Sequence, residues 1–132
     1  MSAAAALTLK KEERMASKRL IDKLFRGGDS HSLVSFPIRL VYLLDNRGDG
    51  DTTAQKQILI SVPKRCFKRA VKRNRVKRQI REAYRRNKNF LPDLDEGRIL
   101  LMAFIWLDDQ LHSSETVEKK VVKLLQRMSE RL

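Results

Sequence analysis

The sequence predicts a single small α+β domain in which helices pack on a mixed sheet of about four strands. A chain of 132 residues has the length of one domain and buries roughly two-thirds of its unfolded surface. Segments with period-two alternation and segments with helical spacing follow each other without an internal repeat. Their order is helix, two or more strands, helix, strand, helix, which favours helices layered on a sheet.

The N-terminal part is predicted to contain a flexible arm and a short helix. Residues 1–14 are assigned to the arm and residues 15–132 to the folded domain. Ser17 is the predicted N-cap, and Gly27-Gly28 ends the helix. Its apolar residues recur at helical spacing and are Leu20, Ile21, Leu24 and Phe25.

Two strands are predicted between this helix and residue 63. Residues 36–44 alternate between a strongly apolar face and a mixed face, with Pro37 at the start or edge of the strand. Residues 45–53 are polar and predict a loop. Residues 58–62 form the next strand, which Pro63 ends.

The second half of the chain is predicted to be a basic helix, a strand and a final helix. Pro92 and Gly97 interrupt the chain after the basic helix. Residues 99–106 are almost continuously apolar, as in a strand covered on both faces. Ser114 is the predicted N-cap of the last helix, whose apolar positions are Val117, Val121, Leu124, Leu125, Met128 and Leu132.

Nearly all of the net charge lies in residues 64–88. This segment has 13 Lys or Arg and one acid, Glu82, so it carries +12 of the formal net charge of +13. A field of one sign in one segment predicts a polyanionic partner, because neutralised phosphates release condensed counterions. A solvated face without a ligand is disfavoured, because like charges at i, i+4 destabilise the helix.

The basic segment is also amphipathic, which a localisation signal does not explain. Its apolar side is narrower than a membrane-surface helix would need. At 100° per residue, one side carries Val76, Ile80, Ala83 and Tyr84, and the opposite side carries Asn74, Arg78, Arg81 and Arg85, flanked by Arg75 and Lys77. Phe67 and Val71 do not fit the apolar side. Either the helix begins near Ala70, or these two residues pack against another element.

Several other functional classes are disfavoured. The lone cysteine, Cys66, cannot form an internal disulfide, and it has no partner histidine in the neighbouring sequence. His31 and His112 are isolated, and no nuclease motif or phosphate-binding glycine loop is present. No apolar run reaches the roughly 20 residues of a membrane helix. These observations predict a soluble cytoplasmic protein without a catalytic site of its own.

Residues 67–83, FKRAVKRNRVKRQIREA, closely resemble the signature of the bacterial ribonuclease P protein family. The signature is Ala-Val, any residue, Arg-Asn-Arg, an aliphatic residue, Lys-Arg, two residues and Arg, and every element is present. The stretch SKRLIDKLFRGG resembles the N-terminal helix of the family, and Ile-Ser-Val-Pro-Lys-Arg resembles the strand end before its basic helix. The resemblance covers about residues 9–130.

The resemblance implies a small two-layer α/β sandwich with a left-handed βαβ crossover. It also implies a protein that assists a catalytic RNA in removing the 5′ leader from precursor tRNA, with Mg²⁺ acting through the RNA. No protein-bound cofactor, metal site, membrane or obligate protein partner is expected. The open alternative is a structured-RNA-binding or ribosome-associated protein without a processing role.

The resemblance places six residues on the RNA-contacting motif, Arg73, Asn74, Arg75, Lys77, Arg78 and Arg81, and two on its basic entry, Lys64 and Arg65. The predicted RNA-binding set also includes Lys68, Arg69, Lys72 and Arg85 of the same basic segment. Phe25 and Tyr42 match aromatic residues of the leader cleft, where a flat ring can stack on an unpaired base. Ile21 is a third candidate, although the family often has an aromatic residue there. Core packing is the alternative for Phe25 and Tyr42.

Overall fold

The computed structural model describes residues 11–48, 50, 51 and 53–132, which contain three α helices and four strands. Two 3-10 turns are also present, Lys11–Glu13 before the first α helix and Lys88–Phe90 directly after the basic helix. The elements in chain order are α1 (Lys18–Arg26), β1 (His31–Ser35), β2 (Ile38–Asn46), β3 (Lys56–Ser61), α2 (Ala70–Asn87), β4 (Arg98–Trp106) and α3 (Ser114–Ser129).

The four strands form one mixed sheet in the order β1-β2-β4-β3. β1 pairs antiparallel with β2, and β2 pairs antiparallel with β4. β3 runs parallel to β4, and the chain passes between them through α2. The predicted α+β fold with helices on a mixed four-stranded sheet is therefore confirmed. The connection is a βαβ crossover, and its left hand stays a prediction.

Helices α2 and α3 cover one face of the sheet and enclose the main core. Alternate residues of the central strands point into this core, because successive strand side chains point to opposite faces. They include Ile38, Leu40 and Tyr42 of β2, and Leu100, Met102, Phe104 and Trp106 of β4, each at most 3% exposed.

Helix α1 covers part of the opposite face. A smaller cluster there joins Met15 and Leu24 to Val41, Leu43 and the odd-numbered residues of β4. Both faces of β4 are therefore buried, as its continuous apolar run predicted. Ser17 caps α1 by accepting a hydrogen bond from the Leu20 amide, and Gly27 follows its last residue, as predicted.

Three predicted boundaries need correction. Residues 36 and 37 form the turn between β1 and β2, so Pro37 precedes the strand, and β1 was not predicted as a separate element. β2 continues to Asn46 because it pairs with β4 along its whole length. The N-cap of α3 is Ser113, whose Oγ accepts from the Thr116 amide at 3.1 Å, so Ser114 is the first helical residue.

The predicted arm is only partly within the described residues. Residues 1–10 lie outside them. Residues 11–14 contact the domain, because Glu13 forms an ion pair with Lys88 (Oε1–Nζ 3.0 Å) and Arg14 bridges to Ile58 of β3. The predicted boundary between arm and domain at residue 14 stays a prediction. Within the described residues, no helix is long and apolar enough to cross a membrane.

Candidate nucleic-acid interface

Helix α2 is held on the sheet by the apolar side that its sequence predicted. Val76, Ile80 and Tyr84 are fully buried and Ala83 is 2% exposed. The Tyr84 ring packs edge-on against Phe104 of β4, and burial raises the pKa of its hydroxyl. The position of this helix on the sheet is therefore fixed by the core, and its opposite side is held in one orientation.

That opposite side presents cations whose side chains have no partner among the described residues. Arg75 and Arg78 are exposed, and Lys77 and Arg81 are half-buried. Within the described residues, none of these four side chains has a hydrogen bond or ion pair. A shallow depression of about 310 Å³ is lined by Asn74, Lys77, Arg78 and Arg81. The arginine guanidiniums are therefore available for bidentate contacts with phosphate.

Other basic residues of α2 have intramolecular partners. The Arg73 guanidinium donates to the carbonyls of Phe67 and Lys68 at 2.7 and 2.9 Å. The Arg85 Nε donates to the Glu82 carboxylate at 3.0 Å, and this contact lowers the pKa of Glu82. The predicted RNA-binding set therefore divides into free cations and cations that already stabilise the fold.

The loop before α2 explains why Phe67 and Val71 do not fit the apolar side of the helix. The helix begins at Ala70, Phe67 is buried in the main core, and Val71 is 75% exposed. Because Phe67 anchors the loop, the basic side chains around it are left in solvent. The exposed basic residues here are Lys64, Arg65, Lys68, Arg69 and, in the first turn of α2, Lys72.

Cys66 lies in this loop but is directed inward. Its amide donates to the Pro63 carbonyl at 3.0 Å, and its Sγ lies 3.7 Å from the Trp106 carbonyl oxygen. Burial raises the pKa of the thiol, which disfavours the nucleophilic thiolate at neutral pH. Cys66 therefore has a packing role. Within the described part of the chain, no three His, Cys, Asp or Glu side chains are placed to bind a metal ion.

A cleft opens beside the C-terminal end of α1, on the sheet face that this helix covers only in part. Its volume is about 410 Å³, and its lining includes Leu24, Phe25, Arg39, Val41 and Ile105. Phe25 is 44% exposed, so much of its ring is accessible. Ile21 packs half-buried against the smaller core and is not among the residues that line the cleft.

Tyr42, the other aromatic candidate for the leader cleft, is not among the residues that line the cleft beside Phe25. Tyr42 is 3% exposed and belongs to the main core on the opposite face of the sheet. Its neighbours Val41 and Leu43 occupy the side that faces α1. Strand alternation contained this signal, because Tyr42 shares its parity with Ile38 and Leu40, both strongly apolar core residues.

The same alternation places an unpredicted residue, Arg39, in the cleft. Arg39 is exposed, lies opposite Ile105 in the ladder and lines the cleft with Phe25. A second unpredicted residue is Gln79, on the buried side of α2. Its Nε2 donates to the His112 carbonyl at 3.0 Å and to Ser114 Oγ at 3.1 Å, so it fixes α2 to the start of α3.

Comparisons with known proteins agree with this arrangement. The family model of Ribonuclease P matches residues 9–129. A ribonuclease P protein component from Porphyromonas gingivalis is 40% identical over 131 residues, covering 98% of this chain and 92% of the relative. Another, from Pseudoalteromonas translucida, is 36% identical over 77 residues, covering 58% of this chain and 51% of the relative.

Solved structures show the same fold. The RNase P protein from Thermotoga maritima has a TM-score of 0.65 at 23% identity, covering 87% of this chain and 96% of that one. A Staphylococcus aureus RNase P protein mutant has a TM-score of 0.70 at 17% identity, covering 97% and 98%. The chain belongs to the ribonuclease P protein family, whose members bind RNA and take part in precursor tRNA processing as the non-catalytic subunit of an endoribonuclease.

Proposed function

We propose that the free cations of α2 and of the loop before it bind the ribonuclease P RNA, and that the cleft beside α1 binds the 5′ leader of precursor tRNA. This proposal rests mainly on one row of residues on a helix that is fixed by its buried side. Within the part of the chain that the structure describes, the side chains of this row have no hydrogen bond or ion pair; they are Asn74, Arg75, Lys77, Arg78 and Arg81.

The RNA-binding part of the proposal follows from charge and rigidity. Arginine forms two parallel hydrogen bonds with phosphate, and a helix fixed in the core holds several such groups at constant spacing. Less conformational entropy is then lost on binding than with a flexible basic tail. The cations of the preceding loop extend the same surface, because the burial of Phe67 holds that loop against the domain.

The leader-binding part of the proposal is supported by the composition of the cleft. Phe25 offers an accessible ring on which an unpaired base can stack without a sequence requirement. Arg39 adds a cation for the phosphates on the same side of the sheet. Tyr42 is not included, because its ring is enclosed in the main core.

In this proposal, bond cleavage is carried out by the RNA subunit with Mg²⁺, and the protein binds and orients the substrate. The protein side chains act on affinity and position, so their loss changes substrate binding more than the chemical step. The bacterial RNA partner and precursor tRNA are cytoplasmic molecules, so a cytoplasmic location belongs to the same proposal.

Reconstitution tests the proposal. The protein is mixed with a bacterial ribonuclease P RNA and with precursor tRNA carrying or lacking a 5′ leader, at an Mg²⁺ concentration at which the RNA alone is nearly inactive. We expect cleavage to rise, and affinity to rise more for the substrate with a leader. The protein alone is the control and should not cleave. RNA binding without any leader-dependent gain would favour a general structured-RNA-binding protein instead.

A further inference from the structure

The open edge of β3 carries an unpaired backbone position next to α2. β3 is an edge strand, because its only sheet neighbour among the described strands is β4. The Ile58 carbonyl accepts from the Met15 amide at 2.7 Å, so even-numbered residues of β3 direct their backbone polar groups away from β4. Ile60 shares this direction, and its N–H and C=O have no backbone partner within the described residues.

A groove of about 210 Å³ surrounds this position. Three of its lining residues are cations, Arg14, Lys77 and Arg81, and none is acidic. Its remaining lining is apolar and consists of Met15, Ile58, Leu59 and Ile60. Lys77 and Arg81 also line the depression on α2, so the groove continues the basic surface towards the sheet.

We propose that this groove, hereafter the β3-edge groove, binds one unstacked nucleotide of a single-stranded RNA segment. Its phosphate contacts Arg14, Lys77 and Arg81, and its base lies against the apolar lining. The base edge then pairs with the N–H and C=O of Ile60, because every Watson–Crick edge carries a donor beside an acceptor. The site therefore selects an unpaired nucleotide and discriminates weakly among bases. This inference rests on the proposed binding of RNA by α2.

A peptide strand is a poorer occupant of the same edge. Strand addition needs several consecutive free positions, since the main-chain hydrogen bonds supply its affinity. Here the free edge is short: Ile58 is already bridged to Arg14, and β3 ends at Ser61. The lining of three cations without an acid also complements phosphate better than an average peptide.

Two variants and one crosslinking experiment test the β3-edge groove. Arg14→Ala removes one phosphate contact, and Ile60→Pro removes the outward N–H without breaking the β3–β4 ladder. Affinity of each folded variant is measured for a single-stranded oligoribonucleotide and for a duplex of the same sequence. Arg131→Ala, which removes an exposed arginine outside the groove, is the matched control. The same single strand carrying 4-thiouridine is crosslinked to the wild-type protein and the modified peptide is identified.

We expect Arg14→Ala to weaken single-strand binding about three- to tenfold and to reduce the slope of log affinity against log salt by about 0.7. We expect Ile60→Pro to weaken it about two- to tenfold without changing the slope, because it removes an uncharged hydrogen bond. The affinity of both groove variants for the duplex should change by less than twofold. The affinity of Arg131→Ala for the single strand should also change by less than twofold. Crosslinks should fall on residues 14–15 or 58–60.

The groove assignment is overturned if crosslinks fall only on other residues, or if both variants bind the single strand as tightly as the wild type. It is also overturned if Ile60→Pro alters only self-association in light scattering, which would identify a peptide strand as the occupant. The proposed function fails separately, and visibly, if the wild-type protein shows no salt-dependent binding to ribonuclease P RNA.

Discussion

The two faces of the sheet differ in how completely helices cover them, and we expect this difference to separate residues that stabilise the fold from residues that bind a ligand. On one face, α2 and α3 enclose a continuous core that contains Tyr42. On the other face, the nine-residue α1 covers a smaller cluster and leaves a cleft in which Phe25 stays 44% exposed. We therefore expect opposite roles for two aromatic residues that look equivalent in the sequence, because they lie on opposite faces.

The largest expected effect is the loss of stability when Tyr42 is truncated. Tyr42→Ala should lower the free energy of unfolding by about 3–5 kcal/mol, as for other large aromatic truncations in a core. Thermal denaturation should show a midpoint lower by roughly 10 °C or more. Tyr42→Phe is the control and should retain most of the stability, because it keeps the ring. A loss below 1 kcal/mol in Tyr42→Ala would show that the face assignment is incorrect.

Phe25→Ala should mainly weaken substrate binding, whereas Tyr42→Ala mainly lowers the stability of the fold. The proposed stacking on one leader base is worth about 1–3 kcal/mol, so affinity for precursor tRNA with a leader should fall about 5- to 150-fold. Affinity for substrate without a leader should stay within twofold. Phe90→Ala is a matched control, because Phe90 is 49% exposed but lies outside the cleft. Equal losses with both substrates would indicate that Phe25 supports the fold of α1 instead.

A smaller effect on RNA affinity should distinguish two groups of cations on α2. One group has no side-chain partner within the described residues, and the other forms intramolecular hydrogen bonds. Arg78→Ala should weaken binding to ribonuclease P RNA and reduce the slope of log affinity against log salt by about 0.9, as for one phosphate contact. Arg73→Ala should instead lower the free energy of unfolding by about 1–2 kcal/mol, because it removes two hydrogen bonds to the preceding loop. Titrations at several salt concentrations and thermal denaturation of both variants measure this contrast.

If Arg73→Ala changes the salt slope as much as Arg78→Ala, the guanidinium of Arg73 exchanges its loop carbonyls for phosphate on binding. Glu82→Gln complements the pair. It removes the carboxylate that pairs with Arg85 and repels nearby phosphates, so affinity for ribonuclease P RNA should rise while the rest of α2 is unchanged.

Sequence reasoning succeeded where one periodicity dominated a segment. The apolar side of α2, the doubly buried β4 and the strand β3 follow from helical or strand spacing, and each is present in the structure. Where tertiary contacts decide the outcome, the sequence was insufficient. The pairing of Arg73 with loop carbonyls depends on how the buried Phe67 positions that loop, and no local pattern encodes it.

The site was predicted less completely than the fold. Resemblance identified the basic residues but could not tell which of them have intramolecular partners. It placed Tyr42 with Phe25 because it matched residue types, whereas the parity of Tyr42 with Ile38 and Leu40 already indicated the core. The β3-edge groove requires residues from three distant segments, at positions 14–15, 58–60 and 77–81, so only the folded chain brings it together.

The smallest expected effect concerns the attachment of α1 to the less covered face. Lys23 of α1 forms an ion pair with Asp45 of β2, and its hydrogen bond lowers the pKa of Asp45 from the ordinary value of 3.8. A carboxyl group whose pKa is lowered by folding stabilises the native state above its unfolded pKa, and this contribution is lost as pH falls through the folded value. The contribution is therefore complete at pH 7 and declines in the acidic range.

Asp45→Asn should lower the free energy of unfolding at pH 7 by at most about 1 kcal/mol, because the pair is partly exposed and screened by solvent. The difference from wild type should shrink as pH is lowered through 4 towards 2. Denaturation at several pH values measures it, and Asp29→Asn, at an exposed site outside the ion pair, is the charge-matched control. A difference that stays constant with pH would mean that Asp45 acts through packing, and that α1 is held on the sheet by its apolar cluster alone.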